Sequence, residues 1–235
     1  LDCGIKSVDK IAYANEKGVD FIICDHHLPG DILPAAIAVL DPKRSDCDYP
    51  YKELSGCGIG FKLIQAYAQK NDLPFEEVSA YLDLVACSIA SDIVPITGEN
   101  RVLAWFGLHK LNTDPCKGLT ALMNLSGRKD DLTITDVVFT IGPRINAAGR
   151  IDDAKHAVNL LIADNDAFAF EKGQIINTKN TERKEHDSQI TEQALALIDT
   201  DPDLIARKTT VVYNEDWHKG VIGIVASRLT EKYYR

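Results

Sequence analysis

Residues 19–30 of the chain are VDFIICDHHLPG, a short apolar run followed at once by one carboxylate and two imidazole side chains. A nearly continuous apolar run of this length is typical of a β-strand that crossover helices bury on both faces. In a parallel sheet, ligands bind in the crevice outside the carboxyl ends of the strands. The stretch therefore predicts a parallel α/β sheet with Asp25, His26 and His27 at its functional edge.

The flanking sequence supports a parallel sheet. Residues 5–17 carry apolar side chains at helical spacing, and Gly18 is placed to end that helix. Residues 1–4 and 35–40 are candidate strands on either side of the run at 21–24. Strand, helix and strand in this order indicate an α/β fold with parallel strands.

The middle of the chain changes to helical periodicity. Six predicted helices are separated by Pro, Gly, Asn and Asp and lie near residues 58–70, 75–91, 99–111, 117–125, 133–141 and 154–163. A longer polar stretch, residues 167–198, predicts a helix of the kind that connects domains. After it, residues 209–213 are predicted as a strand, and the residues from Gly220 onward as a helix.

These patterns predict three parts. Residues 1–163 form an α/β domain with a parallel sheet and a helical part, residues 164–200 a long connecting helix, and residues 201–235 the start of a second α/β domain. The chain begins without Met and stops within a helical pattern. We therefore expect both domains to be truncated pieces of a longer protein.

Composition limits the class of protein. Hydrophobic residues make up 45% and charged residues 26%, and no apolar stretch is long enough to span a bilayer. Six cysteines without a C-x-x-C pair favour a reducing cytoplasm. A net charge of -9 argues against nucleic-acid binding over the whole surface. It is compatible with a local basic patch and with a carboxylate site that binds divalent cations.

Two further carboxylates are predicted at the ends of secondary-structure elements. Asp2 ends the first candidate strand, on the same sheet edge as His26, and Asp92 closes the apolar helix that covers residues 82–90. Imidazole suits Mn, Fe, Co or Zn, and carboxylates add harder oxygen ligands. The sequence thus predicts a mixed nitrogen and oxygen metal site from Asp2, His26 and Asp92. The alternative for Asp92 is a solvated cap or turn residue.

A second motif, GPRINAAGR at residues 142–150, combines two arginines, an asparagine and two glycines. Guanidinium groups match phosphate oxygens, an amide can donate a hydrogen bond, and glycines let a backbone approach an anion. The motif predicts phosphate binding by Arg144, Asn146 and Arg150. The open alternative is a turn between helices with solvated arginines.

A third motif, WHKGVIG at residues 217–223, leads from a predicted strand into a helix. Such a turn can offer free backbone N–H groups to a phosphate through His218, Gly220 and Gly223. A glycine-containing turn formed for packing alone is an equal alternative. Residues 55–60, SGCGIG, lack the spacing of known phosphate loops and are predicted to shape a tight turn and a helix close to the site.

Taken in order, these motifs resemble the DHH phosphoesterase superfamily and, within it, the RecJ branch. The resemblance is carried by Asp2-Cys3-Gly4, Asp25-His26-His27, Ser91-Asp92, residues 142–150 and residues 218–228. It covers essentially the whole chain, and its last two motifs are the most specific. The Asp-rich strand end that opens the family pattern and the Gly-rich end of its associated domain have no counterpart in this sequence.

The resemblance implies roles for the residues at the sheet edge. Asp2 would bridge two metal ions, and His26 and Asp92 would complete the shell of one of them. His27 would lie beside the reacting phosphate, with Asp25 supporting the histidines. It also implies residues that hold DNA phosphates or line the second wall of a groove: Arg144, Asn146, Arg150, His218, Gly220 and Gly223.

The function implied by the resemblance is two-metal hydrolysis of phosphodiester bonds with Mn or Mg. It would remove nucleotides 5′→3′ from single-stranded DNA in repair and recombination. A single-strand binding protein and a helicase are implied partners of a monomeric enzyme that does not bind membranes. Two alternatives stay open: a DHH hydrolase of oligoribonucleotides, cyclic dinucleotides or pyrophosphate, and a non-catalytic nucleic-acid-binding relative.

Overall fold

A computed structural model of the chain describes residues 1–234. Its sheet consists of strands β1 (Ile22–Cys24) and β2 (Ala38–Leu40), which pair in parallel with Cys24 opposite Leu40. Helix α1 (Val8–Glu16) precedes β1, and Gly18 follows it with φ +70°, the left-handed conformation that glycine adopts without strain. The predicted order of helix, strand and strand, and the parallel pairing, are confirmed.

The rest of the chain is mainly helical. A π-helical segment, Val137–Ile141, joins two of the helices. The helices are α2 (Gly56–Lys70), α3 (Phe75–Ser79), α4 (Leu82–Asp92), α5 (Gly98–Thr113), α6 (Lys117–Ser126), α7 (Ile134–Asp136), α8 (Gly142–Ile151), α9 (Lys155–Leu161), α10 (Asp166–Asp199), α11 (Pro202–Ala206) and α12 (Ile222–Tyr233). None of the helices among residues 1–234 is both long and apolar enough to cross a membrane.

The chain divides into two compact units. The first contains residues 1–119 and 128–142, and the second contains residues 120–127 and the chain from Pro143 onward. These units are defined by packing, whereas the boundaries predicted from the sequence follow changes of pattern along the chain. The predicted domain boundaries therefore stay predictions.

The first unit is built around α4. This helix packs against α2 and α5, and its residues Val85 and Ile89 are completely buried. Gly107 of α5 lies so close to α4 that a Cβ atom there would overlap the backbone carbonyl of Leu82. The core thus holds the carboxyl end of α4, where Asp92 lies, in a fixed position.

The second unit packs the carboxyl half of α10 against α12. Ile190, Ala194 and Ile198 recur at intervals of four residues and form an apolar stripe on an otherwise polar helix. They share a core with Val221 and Val225, which are also buried. The long polar helix predicted from the sequence is therefore present and is stabilised at its carboxyl end by tertiary packing.

Some predicted elements differ in the structure. The helix predicted at 75–91 is interrupted and forms α3 and α4, and the segment at 133–141 contains the π-helix. The strand prediction at 209–213 is wrong, because these residues have an irregular backbone conformation and form no β-strand. Residues 1–4 are not a strand either, although the Asp2 N–H donates a hydrogen bond to the Cys24 carbonyl at 2.7 Å.

We expect Gly107→Ala to lower the free energy of unfolding by about 1–3 kcal/mol, because the added methyl overpacks the contact between α5 and α4. Its Cβ would lie 2.7 Å from the Ala86 methyl carbon. Urea denaturation followed by circular dichroism measures the change. Gly149→Ala in α8 is the control, since its Cβ would make an ordinary contact of 3.6 Å with Ala154. Equal stability of the two variants would contradict the close packing.

Candidate metal centre

The Asp25-His26-His27 turn directly follows β1 and is held by the Asp25 carboxylate, which is only 1% exposed. Oδ1 accepts hydrogen bonds from the His26 N–H at 2.8 Å and from His27 Nδ1 at 2.8 Å, and Oδ2 accepts one from the Ile5 N–H at 2.9 Å. Burial opposes ionisation, but these hydrogen bonds hold the pKa of Asp25 below its ordinary value. Asp25 is thus an ionised acceptor that ties the turn to the segment before α1.

The same contacts determine which nitrogen of His27 faces outward. An ionised carboxylate only accepts hydrogen bonds, so His27 Nδ1 carries the proton that it donates to Asp25. Its Nε2 then has a free lone pair when the ring is neutral, and the side chain is 58% exposed. His27 is therefore oriented to bind a metal ion or to contact a substrate oxygen.

Three side chains converge at this edge of the sheet. Asp2, His26 and His27 each offer a ligand atom, and these atoms lie within 4.8 Å of one another. His26 Nε2 is 3.0 Å from Asp2 Oδ1. Two imidazole nitrogens and a carboxylate oxygen form a donor set that suits Mn²⁺ and other divalent transition metals. The three residues therefore fit a divalent cation.

Left-handed backbone is found at one of the acidic residues, Asp2, and directly after another, Asp92. Asp2 has φ +61°, and Ile93, which directly follows Asp92, has φ +53°. Left-handed backbone is uncommon for residues other than glycine and is an outlier for a β-branched one, and such strain is concentrated at functional sites. Gly56 at the start of α2 leaves space for the Asp2 side chain, which a Cβ there would overlap. Residues 56–60 form the first residues of α2 instead of the predicted tight turn, and the start of this helix packs against Asp2, as the sequence predicts.

Asp92 is an electrostatic neighbour of the cluster, although its carboxylate is not among the three ligand atoms that converge. The pKa of Asp2 is raised by burial and then by the negative charge of Asp92, while His26 acts in the opposite direction. The Ser88 hydroxyl donates to Asp92 Oδ2 at 3.2 Å. A bound cation would relieve the repulsion between the two carboxylates, so the predicted position of Asp92 beside a metal ion is electrostatically reasonable.

One further acidic residue at this edge was missed by the sequence analysis. Asp41 directly follows β2, as Asp25 directly follows β1, and its side chain belongs to a residue that is only 2% exposed. Burial raises the pKa of its carboxyl, and the neighbouring Asp25 acts in the same direction. The signal that could have found it is the recurrence of an apolar run followed by Asp, at residues 21–25 and again at 38–41.

The GPRINAAGR motif of residues 142–150 is α-helical, as α8, instead of a loop with accessible backbone. Asn146 and Arg150 are exposed and four residues apart, so they share one helix face. Arg144 lies on another face, where its Nε donates to Asn177 Oδ1 at 3.0 Å. The structure thus brings together two of the three predicted phosphate ligands, because helical periodicity separates the third.

The third motif meets the second within the same unit. Arg150 donates a hydrogen bond to the Gly220 carbonyl at 3.2 Å, and a Cβ on Gly220 would overlap the Arg150 carbonyl. The His218 ring stacks on His186 of α10 with 5.4 Å between ring centroids. Gly223 lies in the first turn of α12, where an added Cβ would meet no other atom within 4 Å. His218 and Gly220 therefore lie beside Arg150. At Gly223, close packing does not explain why the residue is glycine.

Two arginines that the sequence analysis did not single out extend this cluster. Arg228 donates to the buried Asp187 carboxylate at 2.6 Å. Burial lowers the pKa of Arg183, and the positive charges of Arg150 and Arg228 act in the same direction. Arg183 and Arg228 thus lie near one carboxylate and Arg150 lies near Arg183, so three guanidinium groups gather in this part of an acidic chain. The spacing of Arg183 and Asp187 by four residues on a predicted helix is the signal that could have found it.

Comparison with known proteins agrees with this description. Residues 1–89 match the family model of the DHH family, N-terminal domain. Over its whole length the chain is 39% identical to the single-stranded-DNA-specific exonuclease RecJ of Bacillus subtilis, of which it covers 29%. It is 36% identical to RecJ of Escherichia coli, of which it covers 43%. The chain thus spans less than half the length of these curated relatives.

Solved structures show the same relationship. RecJ of Thermus thermophilus in complex with Mn²⁺ aligns with the whole chain at a TM-score of 0.87 and 31% identity, and the chain covers 34% of it. A structure of exonuclease RecJ bound to manganese aligns at a TM-score of 0.87 and 32% identity, with 58% of that chain covered. The predicted fold class is confirmed. Residues 1–89 thus match the DHH family, and the chain is similar over its entire length to the RecJ exonucleases.

Proposed function

We propose that the protein containing this chain hydrolyses phosphodiester bonds of single-stranded DNA in the 5′→3′ direction, with Mn or Mg as cofactor, in repair and recombination. The observation that carries the proposal is the convergence of ligand atoms from Asp2, His26 and His27 at the carboxyl edge of a parallel sheet. The name shared by the relatives, single-stranded-DNA-specific exonuclease, and the metal ions in the solved structures support the same activity.

The residues of the first unit would act together at the scissile phosphate. Asp2, His26 and Asp92 would hold divalent cations. When bound, such cations activate a water molecule and stabilise negative charge on the phosphoryl oxygens. Asp25 keeps the Nδ1 proton on His27, so His27 Nε2 can accept a proton or contact a phosphate oxygen. The strained backbone at Asp2 holds its carboxylate in position before the metal binds.

The second unit would supply contacts to the DNA backbone. Asn146 and Arg150 share an exposed helix face, and Arg183 and Arg228 add positive charge next to Arg150. Guanidinium groups bind phosphate oxygens in a bidentate manner. The patch is local, which is compatible with the net charge of -9.

Other sequence-based expectations remain predictions. They are phosphate contacts by Arg144, a groove wall that includes His218, Gly220 and Gly223, a single-strand binding protein and a helicase as partners, a monomeric state and a cytoplasmic location.

The full-length protein is expected to release labelled nucleotides from the 5′ end of long single-stranded DNA in the presence of Mn²⁺. Single- and double-stranded substrates labelled at either end separate polarity and strand preference. Chelation of the metal with EDTA should abolish the reaction. Cleavage of oligoribonucleotides or cyclic dinucleotides without digestion of single-stranded DNA would instead indicate another type of DHH hydrolase.

Asp2→Asn in the full-length protein is expected to weaken Mn²⁺ binding by at least about 100-fold, since the loss of a charged ligand should exceed the cost of altering an outer partner. Isothermal titration calorimetry measures the affinity. Asp9→Asn on the exposed face of α1 removes the same charge away from the cluster and should leave the affinity unchanged. If both variants bind Mn²⁺ like the unmodified protein, Asp2 is not a ligand.

Arg150→Gln is expected to weaken binding of single-stranded DNA, because a phosphate contact is lost. The slope of log affinity against log salt concentration should become shallower by about 0.7. Fluorescence anisotropy in EDTA measures binding without digestion. Arg207→Gln is the control, since Arg207 is exposed and follows α11. An unchanged salt slope for Arg150→Gln would remove this residue from the DNA-binding surface.

A further inference from the structure

His26 has one nitrogen whose surroundings the metal site does not explain. Its Nε2 lies 3.0 Å from Asp2 Oδ1 and belongs to the ligand cluster. Its Nδ1 is buried and forms no hydrogen bond with any described residue. A buried polar atom without a partner costs roughly 1–3 kcal/mol. Some group at this edge of the sheet is therefore expected to satisfy Nδ1.

A second buried atom without a partner lies at the same edge. Asp41 Oδ1 accepts a hydrogen bond from the Lys43 N–H at 2.8 Å, whereas Asp41 Oδ2 is buried and accepts none from the described residues. Cys24 pairs with Leu40, and the Asp25 N–H donates to the Leu40 carbonyl at 3.0 Å. His26 and Asp41 therefore lie just beyond the carboxyl ends of two adjacent strands, β1 and β2.

The two side chains are also electrostatic neighbours, since His26 acts on the ionisation of Asp41. Their hydrogen-bonding capacities are complementary. When Nε2 of a neutral imidazole binds a metal ion, the proton is on Nδ1, which becomes a donor. The second oxygen of an ionised carboxylate can only accept. Metal-binding histidines usually donate their other N–H to a carboxylate, a carbonyl or a water.

We propose that Asp41 is the positioning residue of His26: its carboxylate accepts a hydrogen bond from Nδ1–H and thereby keeps the Nε2 lone pair directed at the metal. The two side chains form no direct hydrogen bond in the described structure, so the proposed contact would form by side-chain rotation or through a bridging water. The cluster then has two matched pairs, because Asp25 holds His27 through Nδ1 in the same way. This inference rests on the proposed metal-dependent function and adds a residue that supports the ligand set.

Asp41→Asn separates this role from a purely structural one. The amide oxygen can still accept the hydrogen bond from Lys43, so the turn after β2 is retained. The amide nitrogen takes the place of Oδ2. It is a hydrogen-bond donor and cannot accept a hydrogen bond from His26 Nδ1–H. The substitution is nearly isosteric, so urea denaturation should show a stability close to that of the unmodified protein.

The first readout is the tautomer of His26 in metal-free full-length Asp2→Ala protein at neutral pH, measured by two-bond ¹H–¹⁵N NMR of the imidazole rings. In this background the Asp2 carboxylate, which lies 3.0 Å from Nε2, no longer competes for the ring proton. His26→Gln identifies the signals by their loss. The Asp2→Ala protein should carry the proton on Nδ1, and the additional substitution Asp41→Asn should move it toward Nε2. Asp41→Glu keeps an acceptor oxygen and should retain the Nδ1 proton, so the comparison remains possible if Asp41→Asn lowers stability.

The second readout is Mn²⁺ affinity by calorimetry. Asp41→Asn should weaken binding by about 10–100-fold, while Asp31→Asn, in the exposed loop between β1 and β2, should not change it. An unchanged tautomer together with unchanged affinity in Asp41→Asn would overturn the inference. Failure of the unmodified protein to bind Mn²⁺ would instead count against the proposed function, because the tautomer is measured without metal.

Discussion

The buried carboxylate of Asp25 accepts hydrogen bonds from the Ile5 N–H, from the His26 N–H and from the His27 ring, and the geometry of the metal centre depends on these bonds. They join the end of β1 to Ile5, in the segment that follows Asp2, so two candidate ligands, Asp2 and His26, lie in segments that are connected through one anion. A buried charge is tolerated only when it is well paired, and here donors from three residues pair it. The same interaction determines the tautomer of His27.

A rigid scaffold surrounds this centre. Asp2 and Ile93 adopt left-handed backbone conformations, which persist only where packing compensates for their energy. The Ile93 side chain is 78% exposed, but Ile93 directly follows α4, whose residues Val85 and Ile89 are fully buried. For Asp2 the compensating interactions include the hydrogen bond to the Cys24 carbonyl. The hydrophobic core thus contributes to function by holding carboxylates at positions that a flexible chain would rarely occupy.

Charge is distributed unevenly along the chain. Carboxylates gather at the sheet edge of the first unit, while in the second unit Arg228 binds Asp187 and Arg183 lies near Asp187, Arg150 and Arg228. A negative net charge is therefore compatible with a local cluster of basic groups, because the electrostatic potential depends on how charge is distributed over the surface. The two motifs that resemble the RecJ branch most specifically both contribute to this basic cluster.

Short-range patterns in the sequence were sufficient to predict the parallel sheet, the Asp25-His26-His27 turn, the Gly18 helix end and the long polar helix, because each depends on periodicity or on one conformationally special residue. They did not predict that residues 142–150 are helical or that residues 209–213 form no strand. The pairing of Cys24 with Leu40, which brings Asp41 beside His26, and the meeting of Arg150 with Gly220 were decided only by tertiary structure. Strand register and helix packing join residues distant in sequence, and local periodicity does not encode which distant partners meet.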